Sequence, residues 1–386
     1  MFLYINLNDL DKINFYEEQN MAQENATFSF IGQKISKICW CARNHSSTNT
    51  NHFITGSYDD KTNFLTYWNI PDEGVGSEPE MMNNLQVDGS VTDMVFMSPS
   101  MLLCSSSLGD VSLVAVRDLG LNEVQKWPKL HQYEATREPS VCCCIATSNN
   151  EIITGGEDGR INLLLVDRKK PVRVLENADS SNITGIQFLT TNEIVSVNTT
   201  GQLKLWDIRQ PEIDKPQKVL TLSGNACPLL SVDKHPNQPH ILVTGHGDGV
   251  IGIWDVRQEK APVTLIDAHQ AEVWQVKFHP LYPDNLFTCS QDGSCWFWDG
   301  TSMISGANDI KAMNLASGRV NATLQTNDIA SSSVWLYIDA NKHKMETFSL
   351  LPDSKSSVNT FDVNGSSLIC GTDNEAIVIV KDIPVR

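Results

Sequence analysis

The chain has 386 residues, 41% of them hydrophobic, and a formal net charge of −17 with a pI near 4.9. That acidity argues against direct nucleic-acid binding, which rests on Lys and Arg contacts to phosphate, and against an electrostatic hold on anionic membranes. The ten cysteines contain no Cys-x-x-Cys. Cys142-Cys143-Cys144 are consecutive, and Cys39 and Cys41 stand one residue apart, so neither a zinc site nor a disulfide framework is expected and a reducing compartment is.

Residues 1–24 are rich in Asn, Asp, Glu and Gln without a sustained period, and are expected to form a disordered extension. Within them residues 1–7 are apolar but too short for a signal h-region, and no stretch of the chain approaches the ~18 apolar residues of a membrane span, so no membrane insertion is expected. Met21 offers an alternative start. Residues 27–31 read as a strand that completes the last sheet of a closed array and hides its edge.

Units of three short strands follow. The first is Ile35–Trp40, 53–57 and 63–68, trailed by residues 71–88, rich in Gly, Glu, Asn and Met and read as an exposed loop. The second is 91–96, Met101–Ser106 and 111–116, with an insertion at 117–139 that includes an outer strand near 124–127. The third is 141–146, 152–154 and 161–166, around the glycine-rich turn 155–159. The fourth is 183–189, 193–197 and 203–206, and the fifth is 229–233, 241–244 and 250–254. The sixth is 272–278, Asn285–Ser290 and 294–298. Residues 300–347 break the rhythm and read as an extended insertion before the seventh unit, 358–363, 367–370 and Ala376–Val380.

The sixth unit shows the logic most plainly. Two runs rich in apolar and aromatic residues flank Gln291-Asp292-Gly293, and Asp-Gly between such runs marks a tight hairpin because Gly accepts positive φ. His279-Pro280 ends the strand before it, since Pro cannot donate to a ladder. Trp206, Trp254 and Trp298 recur at roughly 48 and 44 residues, near the ~40–45-residue period of a four-stranded propeller blade, and seven such units use roughly 315 residues. The pattern resembles the WD40 repeat. The expected fold is all-β, a single seven-bladed WD40 β-propeller over residues 25–386, closed by its N-terminal strand and carrying rim insertions.

His269, Thr288, Asp292 and Trp298 resemble the hydrogen-bonded tetrad of WD40 blades. The trio of acid, imidazole and hydroxyl looks like a Ser-His-Asp relay, but a structural network that orders the turn is the expectation, and no catalytic residue is assigned. The fifth unit keeps Thr244, Asp248 and Trp254 with no His in place, His246 being read as an exposed turn residue, and the fourth has Thr200 where Asp would stand. The turns at 155–159 and 245–249 lack the Lys of a phosphate loop. No cofactor, no metal site and no enzyme activity are expected.

Two features point outward. The rim insertions are candidate contact surfaces. Trp206-Asp207-Ile208-Arg209 and Trp254-Asp255-Val256-Arg257 resemble the motifs by which WD40 substrate receptors dock on the adaptor of cullin-4 ubiquitin ligases, which makes Arg209 and Arg257 the alternative docking residues; a local ion pair is the plain reading.

Longer runs carry a closer resemblance. QKISK at 33–37, GEDGRINL at 156–163, NADSS at 177–181, GQLKLWD at 201–207, HPNQ at 235–238, IWDVRQ at 253–258, NLFTCSQDGS at 285–294, SLLP at 349–352 with SVNT at 357–360, and CGTDNEAI at 370–377 occur in order. Together they resemble the WD40-repeat nucleoporin, of about this chain's mass, in the Y-shaped complex of the nuclear pore's outer rings. The resemblance is dense in the C-terminal half and thin in the first two units, and it excludes residues 1–24 and 71–88. It implies a non-catalytic scaffold subunit at the nuclear pore, a monomeric propeller within a hetero-oligomer, whose partners are other nucleoporins and in particular an α-helical solenoid subunit of the short arm. It also implies support of pore assembly, messenger RNA and protein transport, and kinetochore association in mitosis. No motif of the family marks partner-contact residues.

Overall fold

The computed structural model describes residues 26–41, 51–71, 78–117, 120–210, 215–222, 227–258, 261–301, 333–337, 345–352 and 355–386. They form seven antiparallel four-stranded sheets. The inner strands, Ile35–Trp40, Val91–Ser98, Cys142–Ser148, Ile183–Phe188, Leu229–Lys234, Val273–Phe278 and Val358–Asn364, each neighbour the next, and the last neighbours the first. The architecture is therefore the seven-bladed propeller. Ala26–Phe30 pairs with Ala376–Val380 as the outer strand of blade 7, so the two ends of the ring are laced through one sheet. No helix among the described residues is long and apolar enough to cross a membrane.

The core is distributed between blades. Ile54 and Leu65 of blade 1 pack on Val91, Met94 and Leu102 of blade 2, and Ile35, Ile38 and Trp40 pack on Ile369, Ile377 and Ile379 of blade 7. Each such side chain, once buried, contributes about 1.5–3 kcal/mol, which no single sheet could recover alone.

Polar ties complete the seams. An inner strand leaves its axial N–H groups without a ladder partner, and the preceding blade supplies one. Asp93 accepts from Ile145 N (2.9 Å), Asp233 from Phe278 N (2.8 Å) and Asp362 from Trp40 N (2.8 Å). Lys277 pairs with Asp362 at 2.6 Å and Lys37 with Asp93 at 3.4 Å, so these carboxylates are partnered on both sides.

The outer strands are where the sequence reading falls short. Residues 80–87, placed within an exposed loop, form the eight-residue outer strand Glu80–Val87. Arg173–Leu175, Lys218–Thr221, Thr264–Asp267 and Glu346–Ser349 likewise close blades 3 to 6. Such strands face solvent on one side and an edge on the other, so three or four residues suffice and no apolar run announces them. The insertion read at 117–139 holds the outer strand of blade 2, Gly120–Trp127. Within the 300–347 stretch, the 3-10 turn Val334–Tyr337 buries Trp335, whose indole N–H donates to Pro283 O at 2.9 Å. The expectation of a disordered extension at 1–24 lies outside the described residues.

Candidate functional site

In blade 6 the register Leu286↔Trp298 and Thr288↔Trp296 sets Thr288 and Trp298 on one face of the sheet. The Trp298 indole N–H donates to Thr288 Oγ1 at 3.0 Å, and His269 Nε2 lies 2.8 Å from the same oxygen. His269 Nδ1 sits 2.8 Å from Ser294 Oγ and 3.4 Å from Asp292. Ser294 was absent from the expected set and is the link between ring and carboxylate, its hydroxyl donating to Asp292 Oδ1 at 2.6 Å. Asp292 also accepts from Gln270 N and Ser294 N. Burial pushes its carboxyl up, but the hydrogen bonds from His269, Ser294 and these two amides outweigh it and hold Asp292 far below the usual carboxylate range.

Blade 5 solves the same problem with different residues. Trp254 donates to Thr244 Oγ1 at 2.8 Å, and His246 Nε2 meets that oxygen at 2.8 Å. A His is therefore in place. It comes from the strand that carries Thr244, two residues on and so on the same face, and it is 1% exposed rather than an exposed turn residue. The room is made by Gly252, opposite Thr244 in the register: a Cβ there would come 2.9 Å from His246 Nε2. Burial pushes His246 down to about 4. Asp248 stays outside the group, exposed, accepting from Val250 N at 3.3 Å and hydrogen-bonded to Cys227.

Blade 4 pairs Trp206 with Ser196 Oγ at 3.0 Å. Thr200 donates to Asn198 Oδ1, and Asn198 in turn donates to Asp179, a buried acid from the preceding loop that pairs with Lys204 at 2.9 Å. Blade 3 holds a group the sequence reading missed altogether. His131 bridges Thr154 Oγ1 and Asp158, each at 2.8 Å, and Gln132 N donates to Asp158 at 3.0 Å. The signal was present: His131-Gln132 repeats His269-Gln270, and each Gln amide caps the turn Asp of its blade. It was hidden because 117–139 read as an insertion.

The position of Thr288 thus carries Thr55, Cys104, Thr154, Ser196, Thr244, Thr288 and Cys370 around the ring, and that of Trp298 carries Trp68, Val114, Leu164, Trp206, Trp254, Trp298 and Val380. Every Trp faces a hydroxyl, and each Cys faces a Val. In blade 3, where Leu164 offers no donor, Asn162 and His131 engage Thr154. A buried indole N–H needs an acceptor and a buried hydroxyl needs a partner, so the two positions change together. Thr288 and Thr244 are 0% exposed, and their oxygens are engaged by imidazole and indole. The groups can hold turns; they present no hydroxyl to a substrate.

Arg209 and Arg257 turn back on their own motifs. Arg209 Nη2 meets Asp207 Oδ2 at 2.7 Å and its Nε meets Oδ1 at 2.9 Å; Arg257 grips Asp255 at 2.6 and 2.8 Å in the same way. The side-chain hydrogen bond from Arg209 holds Asp207 well below the usual carboxylate range. The forked pair accounts for both arginines, although each remains about three-fifths exposed. Among the described residues no cluster of three or more His, Cys, Asp or Glu is placed to hold a metal ion.

The WD domain, G-beta repeat family matches residues 216–255 and 260–299, spanning parts of blades 4 to 6. The chain is similar over most of its length to nucleoporin Nup43 of Homo sapiens, with 39% identity over 376 residues, covering 92% of this chain and 98% of that protein. Nup43 of Mus musculus is 40% identical over the same coverage. The nuclear pore complex protein nup43 of Dictyostelium discoideum is 26% identical across 62% of this chain and 53% of its own length.

Proposed function

The chain belongs to the Nup43 family of WD40-repeat nucleoporins, and on that premise we propose that it is a non-enzymatic scaffold subunit of the nuclear pore complex at the nuclear envelope. The observation that carries the reading is the 39% identity that runs through nearly the whole of both chains, rather than through the two repeats alone. A ring in which the buried hydroxyls of Thr154, Thr244 and Thr288 are engaged internally suits docking rather than turnover.

Within that role we propose a place in the Y-shaped outer-ring complex beside an α-helical solenoid subunit, where the propeller supports pore assembly and messenger RNA and protein transport, with kinetochore association in mitosis. The ligase-receptor reading is not carried forward, because Arg209 and Arg257 already have partners in Asp207 and Asp255. Affinity purification of the tagged chain under mild detergent tests the assignment. Outer-ring nucleoporins should be recovered in near-stoichiometric amounts, and the tag should mark the nuclear rim. Recovery of a cullin-4 adaptor without nucleoporins would overturn it.

A further inference from the structure

All seven inner strands slip register at their second residue. Such a bulge leaves one residue outside the ladder and re-aims its side chain. In blades 2 and 4 the bulged residue is a Thr whose hydroxyl ties the seam, Thr92 donating to Cys142 O at 2.5 Å and Thr184 to Leu229 O. Blades 5 and 6 carry Leu230 and Trp274 instead, and the tie moves one residue on: Ser231 donates to Val273 O and Gln275 to Phe361 O. Two adjacent blades therefore present apolar side chains where the rest of the ring has Ser, Thr, Cys or Asn. Trp274 is 37% exposed, its indole N–H donating to Ser357 Oγ at 3.2 Å.

Asp248, Glu272 and Asp373 lie on the same end of the ring, and none has an ion pair among the described residues. Asp373 Oδ1 accepts from Asn359 and Tyr58. The turns between second and third strands carry acids in six of the seven blades, among them Asp60, Asp110, Glu157, Asp248, Asp292 and Asp373, against the two bases Lys61 and Arg160.

We propose that this acidic face docks an extended basic segment of a partner protein, one Lys or Arg of which lays its methylene stem across Leu230 and Trp274 and brings its charge to Asp248, Glu272 and Asp373. An apolar stem with a cationic head matches an apolar step that shares its end of the ring with carboxylates outside any ion pair, and an indole face adds attraction for the cation. The surrounding charge steers a basic segment in and repels nucleic acid and acidic peptides. The proposal deepens the docking reading and rests on it.

The probe is a short fluorescent Gly-Ser peptide bearing two Arg, compared with the same peptide bearing citrulline, titrated against the full chain by anisotropy. The Arg peptide should bind, weaken as salt rises, and lose about tenfold in affinity on Trp274→Ala and on Asp248→Asn with Glu272→Gln, while the urea midpoints of these variants match that of the wild type. Equal binding of the citrulline peptide, or variants that bind as the wild type does, would overturn it. In cells, the tagged variants should recover less nucleoporin than the wild-type chain. Equal recovery sinks the surface and leaves the scaffold role standing; a wild-type chain that recovers none removes the role, and the surface with it.

Discussion

Blades 5 and 6 are neighbours with the same buried Trp–Thr bond, yet they complete it from opposite directions. Blade 6 brings His269 in from the loop ahead of the blade and anchors it through Ser294 and Asp292. Blade 5 brings His246 from its own second strand into space vacated at Gly252, and leaves Asp248 in solvent. What the two share is a threonine hydroxyl engaged on both sides. The fold demands satisfied donors and acceptors, and the order of residues that supplies them is free to vary.

The most direct way to break the comparison is to remove the shared atom. Thr288→Val and Thr244→Val each leave an indole N–H and an imidazole nitrogen buried without their partner, at about 1–3 kcal/mol apiece. Each variant should lose about 2–6 kcal/mol of unfolding free energy in urea. If either lost less than about 0.5 kcal/mol, the bond would not be what orders its blade.

Acid should separate the two blades. Burial pushes His246 down to about 4, and burial with the nearby charge of His240 does the same to His235 at the other end of blade 5. A base whose pKa is lower folded than unfolded takes up protons on unfolding, so its contribution is intact above about 6.5 and is lost as pH falls toward 4. Each histidine should steepen the loss by at most ~1.4 kcal/mol per pH unit in that window. Urea midpoints at pH 7.5, 6 and 5 should fall, and His246→Gln should flatten the fall. In blade 6 burial lowers His279 too, while its bond to Gly365 O opposes the shift. A wild type and a His246→Gln variant with parallel pH profiles would remove the imidazole of blade 5 from the account.

The turn acids sharpen the contrast further. Asp292→Ala removes the acceptor of two backbone amides and of the Ser294 hydroxyl, and should cost about 1–2 kcal/mol. Asp248→Ala removes the contacts to Val250 N and Cys227 at the surface and should stay within ~0.5 kcal/mol.

How much of this was legible follows from where each group sits. The ring, its period and the closing strand show in the sequence because Trp-Asp, Asp-Gly and His-Pro recur at fixed offsets. The group in blade 6 shows because its four residues stand in the order shared by WD40 blades. His246 does not show, since its role depends on the absence of a side chain at Gly252, six residues on through a hairpin, and a glycine reads first as a turn. His131 does not show because the loop before blade 3 is longer than its counterparts. Leu230 and Trp274 look like ordinary strand residues until the bulge turns them out of the ladder.

The smallest effect concerns the turn itself. Blades 2 to 6 place Gly at the left-handed position of the turn between second and third strands, as at Gly249 (φ 89) and Gly293 (φ 88), whereas blade 7 places Glu375 there at φ 59. At Gly249 a Cβ would stand 2.2 Å from His269 O, so the adjoining loop forbids any other residue. Blade 7 is joined instead by the entering N-terminal strand: Ile31 N donates to Glu375 O, and the loop turns at Gly32, which has nothing within 4 Å of where its own Cβ would lie. Glu375 carries the backbone cost of that conformation, on the order of 1 kcal/mol. Glu375→Gly should raise the unfolding free energy by about that amount, the one substitution of this set expected to stabilise. A lowered urea midpoint would mean that the Glu375 side chain contributes more to the closure of blade 7 than its backbone costs.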